Sequence, residues 1–352
     1  MPNGSTVKSR ANLNRRKVLT GLSATILAPR LARAFALTDA TGRAVAIPDK
    51  VEHIFPAGPP ASLLIYTFAP DLLLGWTRNP DPPQCALLGS GACDKPEVGR
   101  LTGRGNTTNL EVLIKLKPDL ILDVGTINDT YISLAKRVQD ETGIPYVLFD
   151  GRFDAAAQLY RQLGQLTQRQ AQAEEFARYA DNTIKTVKGR IDQIPDEQRP
   201  TVYYARGPRG LETGLGGSIN VETIEFLGAH NVAGGQRGGM ATVSMEQVLA
   251  WNPDVVVTIE PAFAASVHTD PVWAPVKAVQ TNRVHLSPRL PFGWVDFPPS
   301  VNRLIGLWWL AKVLFPAQFP EDLRPLALDF YKRFYHLTPP DAQMDSVLAG
   351  SP

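Results

Sequence analysis

Cysteine is nearly missing from this chain: Cys85 and Cys93 are the only two in 352 residues, too few for a multi-disulfide framework or a four-cysteine metal centre. The pair lies in a Gly/Pro/Asp-rich stretch and leaves two readings open, a disulfide or half of a metal pair whose partners the sequence does not supply. Histidine is also sparse. His53, His230, His268, His285 and His336 fall in five different predicted elements without paired spacing, so no metal ligand is assigned. No stretch approaches the roughly 20 apolar residues that a membrane helix needs. The richest, Leu304 to Phe315, is interrupted by Lys312 and reads as a buried helix. Catalytic patterns are missing too. Gly214-Leu215-Gly216-Gly217-Ser218 is not the G-x-S-x-G elbow, lacks the Lys of a phosphate loop and the spacing of a dinucleotide fingerprint, and reads as a turn. No His or acid completes a triad, so no catalytic residue and no cofactor is assigned, and the chain is not read as an enzyme.

Acidic residues are absent from positions 1 to 36, which carry Lys8, Arg10, Arg15, Arg16, Lys17, Arg30 and Arg33. Removing those seven cations from the formal charge of +2 leaves −5 on the remainder, a balance that argues against nucleic acid. Arg15-Arg16 before a short apolar stretch, and Ala34-Phe35-Ala36 at its end, form the pattern of an export signal peptide over residues 1–36. The adjacent arginines point to the twin-arginine route. Asn14 and Val18 depart from that pattern and keep the general secretory route open. The mature chain is expected to be soluble and periplasmic.

What the sequence does contain is a long uninterrupted helix and a repeat on either side of it. Ala173, Phe176, Ala180, Ile184, Val187 and Ile191 recur at three- and four-residue spacing between Gln170 and Asp192, which predicts one helix of about 30 Å. Before it stands NLEVLIKLKPDLILDVG, from Asn109 to Gly125; after it stands SMEQVLAWNPDVVVTIE, from Ser244 to Glu260. Each is a short amphipathic helix ending before a Pro, then an apolar run without alternation, as in parallel strands covered on both faces. The fold class is therefore α/β: two Rossmann-like lobes with central parallel sheets, joined by one long interlobe α-helix. The expected divisions are 37–153 for the N-terminal lobe, 154–198 for the connecting helical segment, 199–338 for the C-terminal lobe and 339–352 for a loose Pro-rich tail.

Core strands are expected at Val51 to Phe55, Leu72 to Trp76, Leu120 to Val124, Tyr146 to Phe149, Val202 to Ala205, Val255 to Ile259 and Arg283 to Leu286. Open α/β sheets bind ligands beyond their strands' C-terminal ends. The candidates collected there are Pro59, Trp76, Arg104 and Arg152 from the first half, and Tyr204, Arg206, Glu260, Arg289 and Trp294 from the second. Guanidinium groups pair with oxyanions and carboxylates and aromatic rings give flat apolar walls, a set suited to an anionic, partly planar ligand. Each also has a plainer use, since Arg stems cover apolar surface and Trp fills cores. Glu111 and Glu246 occupy the same position in the two repeats. As matched carboxylates, one per lobe, they suit a symmetric partner bearing basic residues.

Taken together, the two repeats, EFLGAHNVAGG, the single long helix and PPSVNRLIGLWWLAKVLFP resemble the exported solute-binding proteins of ABC importers for iron-siderophore complexes, haem and cobalamin. The resemblance covers nearly all of the mature chain. It implies a monomer that captures a metal chelate, a ferric siderophore or similar iron complex, between its lobes and delivers it to an ABC permease dimer with its ATPase. It implies too that Glu111 and Glu246 dock on permease arginines and that the lobes close little on the ligand. The sequence shows no secure counterpart of the Tyr that ligates haem iron in some members. Molybdate-binding relatives exist, which makes a small oxyanion the alternative; an exported enzyme using the same cleft is the alternative from another class.

Overall fold

In a computed structural model of the protein, the residues described are 4, 6, 35–103, 105 and 107–349. The export signal assigned to residues 1–36 lies almost wholly outside them, and so does the candidate Arg104. The described chain opens with an antiparallel hairpin, β1 (Phe35–Thr38) and β2 (Ala44–Ile47). Three parallel strands follow, β3 (Ile54–Pro56), β4 (Leu120–Gly125) and β5 (Tyr146–Asp150), paired in that order. In the second half come β6 (Thr201–Ala205), β7 (Glu212–Gly214), β8 (His230–Asn231), β9 (Met240–Thr242), β10 (Val255–Thr258) and β11 (Val284–Leu286). Four of these form a second parallel sheet in the order β11-β10-β6-β8, and β7 pairs with β9 as an antiparallel ribbon.

The apolar runs explain both sheets. Leu120, Ile121 and Leu122 in β4, and Val255, Val256 and Val257 in β10, are all fully buried, because helices cover both faces of each sheet. The repeat extends to how each run is entered. The Leu110–Leu116 helix is capped by Asn109 and ends at Lys117, whose φ is 48°; the Met245–Trp251 helix is capped by Ser244 and ends at Asn252, φ 42°. Next comes Pro-Asp, and the Asp staples the corner to the first strand of its own sheet. Asp119 Oδ2 accepts from the Glu52 and His53 amides at 2.8 Å, and Asp254 Oδ2 accepts from the Thr201 amide at 2.9 Å and its hydroxyl at 2.8 Å.

The long helix runs from Gln170 to Ile191. Its predicted stripe is buried at Ala173, Phe176, Ala180, Val187 and Ile191, while Ile184 is only partly covered. The small residues let the neighbouring Ala156–Thr167 helix approach closely: a Cβ on Gly164 would stand 2.3 Å from that of Ala173. Near the N-terminal end Arg169 pairs with Asp71 and Gln172 donates to the Phe68 carbonyl at 2.7 Å. At the other end Arg190 bonds Glu321 at 2.6 Å and lies over the Trp308 and Phe319 rings. The helix is thus gripped at both ends by different parts of the chain.

Two expectations need correction. The strand expected at Leu72 to Trp76 is reduced to isolated bridges, Leu73 with Ile54 and Trp76 with Glu97. The Pro96 carbonyl presses so close to Gly75 that a Cβ there would sit 2.4 Å away, and the chain turns toward that segment instead of extending the sheet. The tail expected to be loose forms a helix, Asp341–Leu348, with Met344 and Val347 buried one turn apart. Pro339 and Pro340 mark its start rather than the end of structure, consistent with Pro being well tolerated at a helix's beginning.

Candidate functional site

The turn after β5, at the C-terminal end of the first parallel sheet, meets the segment of the second half that leads from β7 into the Glu222–Phe226 helix. Arg152 Nη2 donates to the Gly217 carbonyl at 2.8 Å, the Phe153 amide donates to Glu222 Oε1 at 3.0 Å, and Gly151 lies against Ile219. From the start of the Arg303–Leu314 helix, the buried Arg303 pairs with Glu222 Oε2 at 2.5 Å, donates to the Gly151 carbonyl and covers the Phe153 ring at 4.6 Å. A second junction lies farther along, where Gln84 Nε2 donates to the Pro291 carbonyl at 2.8 Å. The loop that carries Gln84 is closed by a disulfide between Cys85 and Cys93, Cα–Cα 6.0 Å, which settles the question the two cysteines left open.

Beside the first junction, at the end of β6, a polar cluster forms around Asp296. Its side chain is fully buried and accepts four hydrogen bonds: Tyr204 hydroxyl at 2.6 Å and Arg206 Nη1 at 3.1 Å on Oδ2, Asn220 Nδ2 at 2.9 Å and the Phe297 amide at 2.6 Å on Oδ1. Burial first, and the Asp296 carboxylate second, push the Tyr204 phenol well above its ordinary pKa, so it remains a donor. The Arg206 guanidinium carbon lies 5.4 Å from the centroid of Phe297, which is 58% exposed.

The sequence candidates separate into three groups. Arg206, Arg152, Glu260 and Pro59 lie at strand ends with partly exposed side chains; Glu260 accepts from the Gly207 amide at 3.2 Å, and Pro59 opens the helix that follows β3. Arg289 is exposed in the segment after β11. Trp76, Tyr204 and Trp294 are corrections, for all three are core. Trp76 donates its indole N–H to the Ala92 carbonyl at 2.7 Å and packs on Tyr66 and Phe292, Trp294 is fully buried, and Tyr204 acts through Asp296. Residue type alone does not separate a cleft aromatic from a core aromatic. Asp296, Phe297, Asn220, Glu222 and Arg303 were not among the sequence candidates; Arg303 lies in the stretch PPSVNRLIGLWWLAKVLFP, whose apolar character reads as a buried helix, and the other four sit in no recognisable pattern. The Gly216-Gly217 turn has a structural use, since a Cβ on Gly216 would meet the Gly234 carbonyl at 2.5 Å.

Two cavities open near the sheet ends. One of about 50 Å³ lies at the first junction, between Pro60, Val124 and Arg152 on one side and Ser300 and Arg303 on the other; it is far below the several hundred Å³ of a ligand site. The other, about 520 Å³, is bounded by Thr102, Gly103, Tyr131 and Arg137. The Thr102 hydroxyl in its wall donates to Asp123 Oδ1 at 3.2 Å, and Tyr146 donates to Oδ2 at 3.1 Å. Burial outweighs both hydrogen bonds and raises the Asp123 carboxyl to about 6. Among the described residues no cluster of His, Cys, Asp or Glu could hold a metal ion, and no helix is long and apolar enough to cross a membrane.

Glu111 and Glu246 are exposed at the first turns of their matched helices, each anchored by a fully buried neighbour, Leu113 or Val248. A hydrogen bond from the Ser244 side chain holds the Glu246 carboxyl below its ordinary value, so it is ionised at neutral pH. Around them Val112 is 41% exposed, Ile114 50% and Leu249 39%.

Comparison with known proteins agrees with this architecture. The periplasmic binding protein family matches residues 92–289, more than half of the chain. The molybdate-binding protein MolA of Haemophilus influenzae is 25% identical, the match covering 90% of this chain and 94% of that protein. The high-affinity haem uptake protein IsdE of Staphylococcus aureus is 25% identical over 62% of this chain and 76% of its own length. Among solved structures, an ABC transporter solute-binding protein from Sulfurospirillum deleyianum superposes with a TM-score of 0.79 at 26% identity, covering 89% of this chain and 98% of that one. The chain belongs to the periplasmic binding protein family. It is the periplasmic substrate-binding component of an ABC importer, a part that works with a membrane permease and its ATPase.

Proposed function

We propose that this protein captures an anionic metal complex, a ferric chelate in the first reading, between its two parallel sheets and hands it to the permease through Glu111 and Glu246. The observation that carries the ligand class is Arg206, a partly exposed cation at a strand end beside the junction, anchored by one Nη on the buried Asp296. Arg152 and Glu260 are the further polar contacts at neighbouring strand ends. Molybdate is the second reading, favoured by the near full-length match to the H. influenzae protein. For delivery, the support is the pair of matched, exposed glutamates flanked by exposed Val112, Ile114 and Leu249, a charged and apolar surface suited to a protein partner.

Binding and uptake should separate in Glu111→Ala/Glu246→Ala. The double variant should hold ligand as tightly as the parent and melt at nearly the same temperature, while uptake by cells falls steeply and each single variant lies between. Normal uptake would refute delivery through these carboxylates, and a matching loss of ligand affinity would place them in the ligand site instead.

A further inference from the structure

We infer that Asp296 is a positioning residue for Arg206, and that Arg206 and Phe297 together form a seat selective for a flat anionic group, such as an arene bearing carboxylate or phenolate oxygens. The inference rests on the reading of Arg206 as a ligand contact. Among the described residues, Asp296 is the only hydrogen-bond acceptor the Arg206 guanidinium meets. Asp296 is in turn fixed from three other directions, by Tyr204, Asn220 and the Phe297 amide. An arginine anchored by one Nη presents the rest of its planar fork in a set orientation, which suits recognition of planar oxygen pairs.

Phe297 is the second, independent observation. Its φ is 67°, a region that bulky residues seldom occupy and that clusters at ligand sites when the surroundings enforce it. Here they do: a Cβ on Gly293 would stand 1.8 Å from the Asp296 carbonyl, so the turn is packed on itself, and Asp296 Oδ1 holds the Phe297 amide. The result is a large apolar ring kept exposed beside a cation, two residues before the chain reaches the junction cavity at Pro299. A tetrahedral oxyanion could use the guanidinium but gains little from the ring. A planar anion uses both, its edge on the guanidinium and its face on the ring.

The test is calorimetric titration of the purified protein with a ferric catecholate complex and, separately, with molybdate. The parent should prefer the ferric catecholate. Phe297→Ala should weaken that complex about three- to tenfold and leave molybdate unchanged, with Phe297→Tyr restoring the preference. Tyr204→Phe, which removes one anchor of Asp296 without touching Arg206, should weaken the complex in the same direction in protein that stays folded at the titration temperature, though it melts lower; Asp296→Asn should do so more strongly if it folds. A parent that prefers molybdate or takes neither probe, or a Phe297→Ala variant with unaltered preference, overturns the seat. Unaltered preference in Phe297→Ala with Arg206→Ala still weakening binding would overturn the seat and leave the charge contact standing; Arg206→Ala without effect would instead remove the reading beneath it.

Discussion

Removing Arg303 should destabilise the protein more than any other single charge change at the junction between the two sheets. Its side chain is 3% exposed and that of Glu222 13%, so the arginine is buried and its partner largely covered. Beyond the ion pair, Arg303 donates to the Gly151 carbonyl, to Ile219 at 3.4 Å and to Ser300 at 3.4 Å. Arg303→Met keeps most of the stem but leaves a largely covered carboxylate without its counterion and three carbonyls short of a donor. Breaking a buried pair in this way costs about 3–5 kcal/mol. Glu222→Gln is gentler, because the amide oxygen can still accept from Phe153 and Arg303 keeps its carbonyls; a loss of about 1–3 kcal/mol is expected. The double variant should lose less than the sum, since the groups share one network, with a coupling of about 0.5–3 kcal/mol. Urea unfolding followed by tryptophan fluorescence reads all three values. An Arg303→Met cost below about 1 kcal/mol, or strict additivity in the double variant, would refute the argument that this pair ties the sheet ends together.

Two further outcomes follow from buried groups elsewhere. Asp123 has a folded pKa of about 6 against an ordinary 3.8, so between those values the folded state holds a proton that the unfolded chain has lost, and stability falls as pH rises through that window. Asp123→Asn should flatten this fall in unfolding free energy measured between pH 4 and 6.5, and parallel curves for parent and variant would contradict it. Met344→Ala should cost about 2–5 kcal/mol, because Met344 is fully buried in the C-terminal helix; a melting temperature equal to the parent's would mean that this helix contributes nothing to the fold.

The parts legible in the sequence are those whose pattern is local. Leu120 to Leu122 and Val255 to Val257 announce covered parallel strands, and the stripe from Ala173 to Ile191 announces the long helix, because periodicity and run length are properties of neighbours along the chain. The binding surface is assembled across the chain and is less legible. Asp296 gains its role from Tyr204, 92 positions earlier, and from Asn220, 76 positions earlier. Arg303 reaches Gly151 over 152 positions. Arg206 was readable as a cation after a strand, yet nothing local indicated the acid that orients it. Trp76 and Trp294 lie beside predicted strand ends just as a ligand wall would, and only packing against Tyr66, Phe292 and Ala92, or complete burial, assigns them to the core. The final helix was obscured by Pro339 and Pro340, which read equally well as the end of order and as the beginning of a helix.

The most direct test of the account is native mass spectrometry of the protein isolated from its own periplasm, comparing the parent with Arg206→Ala. The parent should carry a single bound anionic metal species, and the variant should bind it on the order of ten- to a hundredfold more weakly, read as loss of the bound form. A neutral or metal-free ligand on the parent, or equal occupancy in Arg206→Ala, would contradict it.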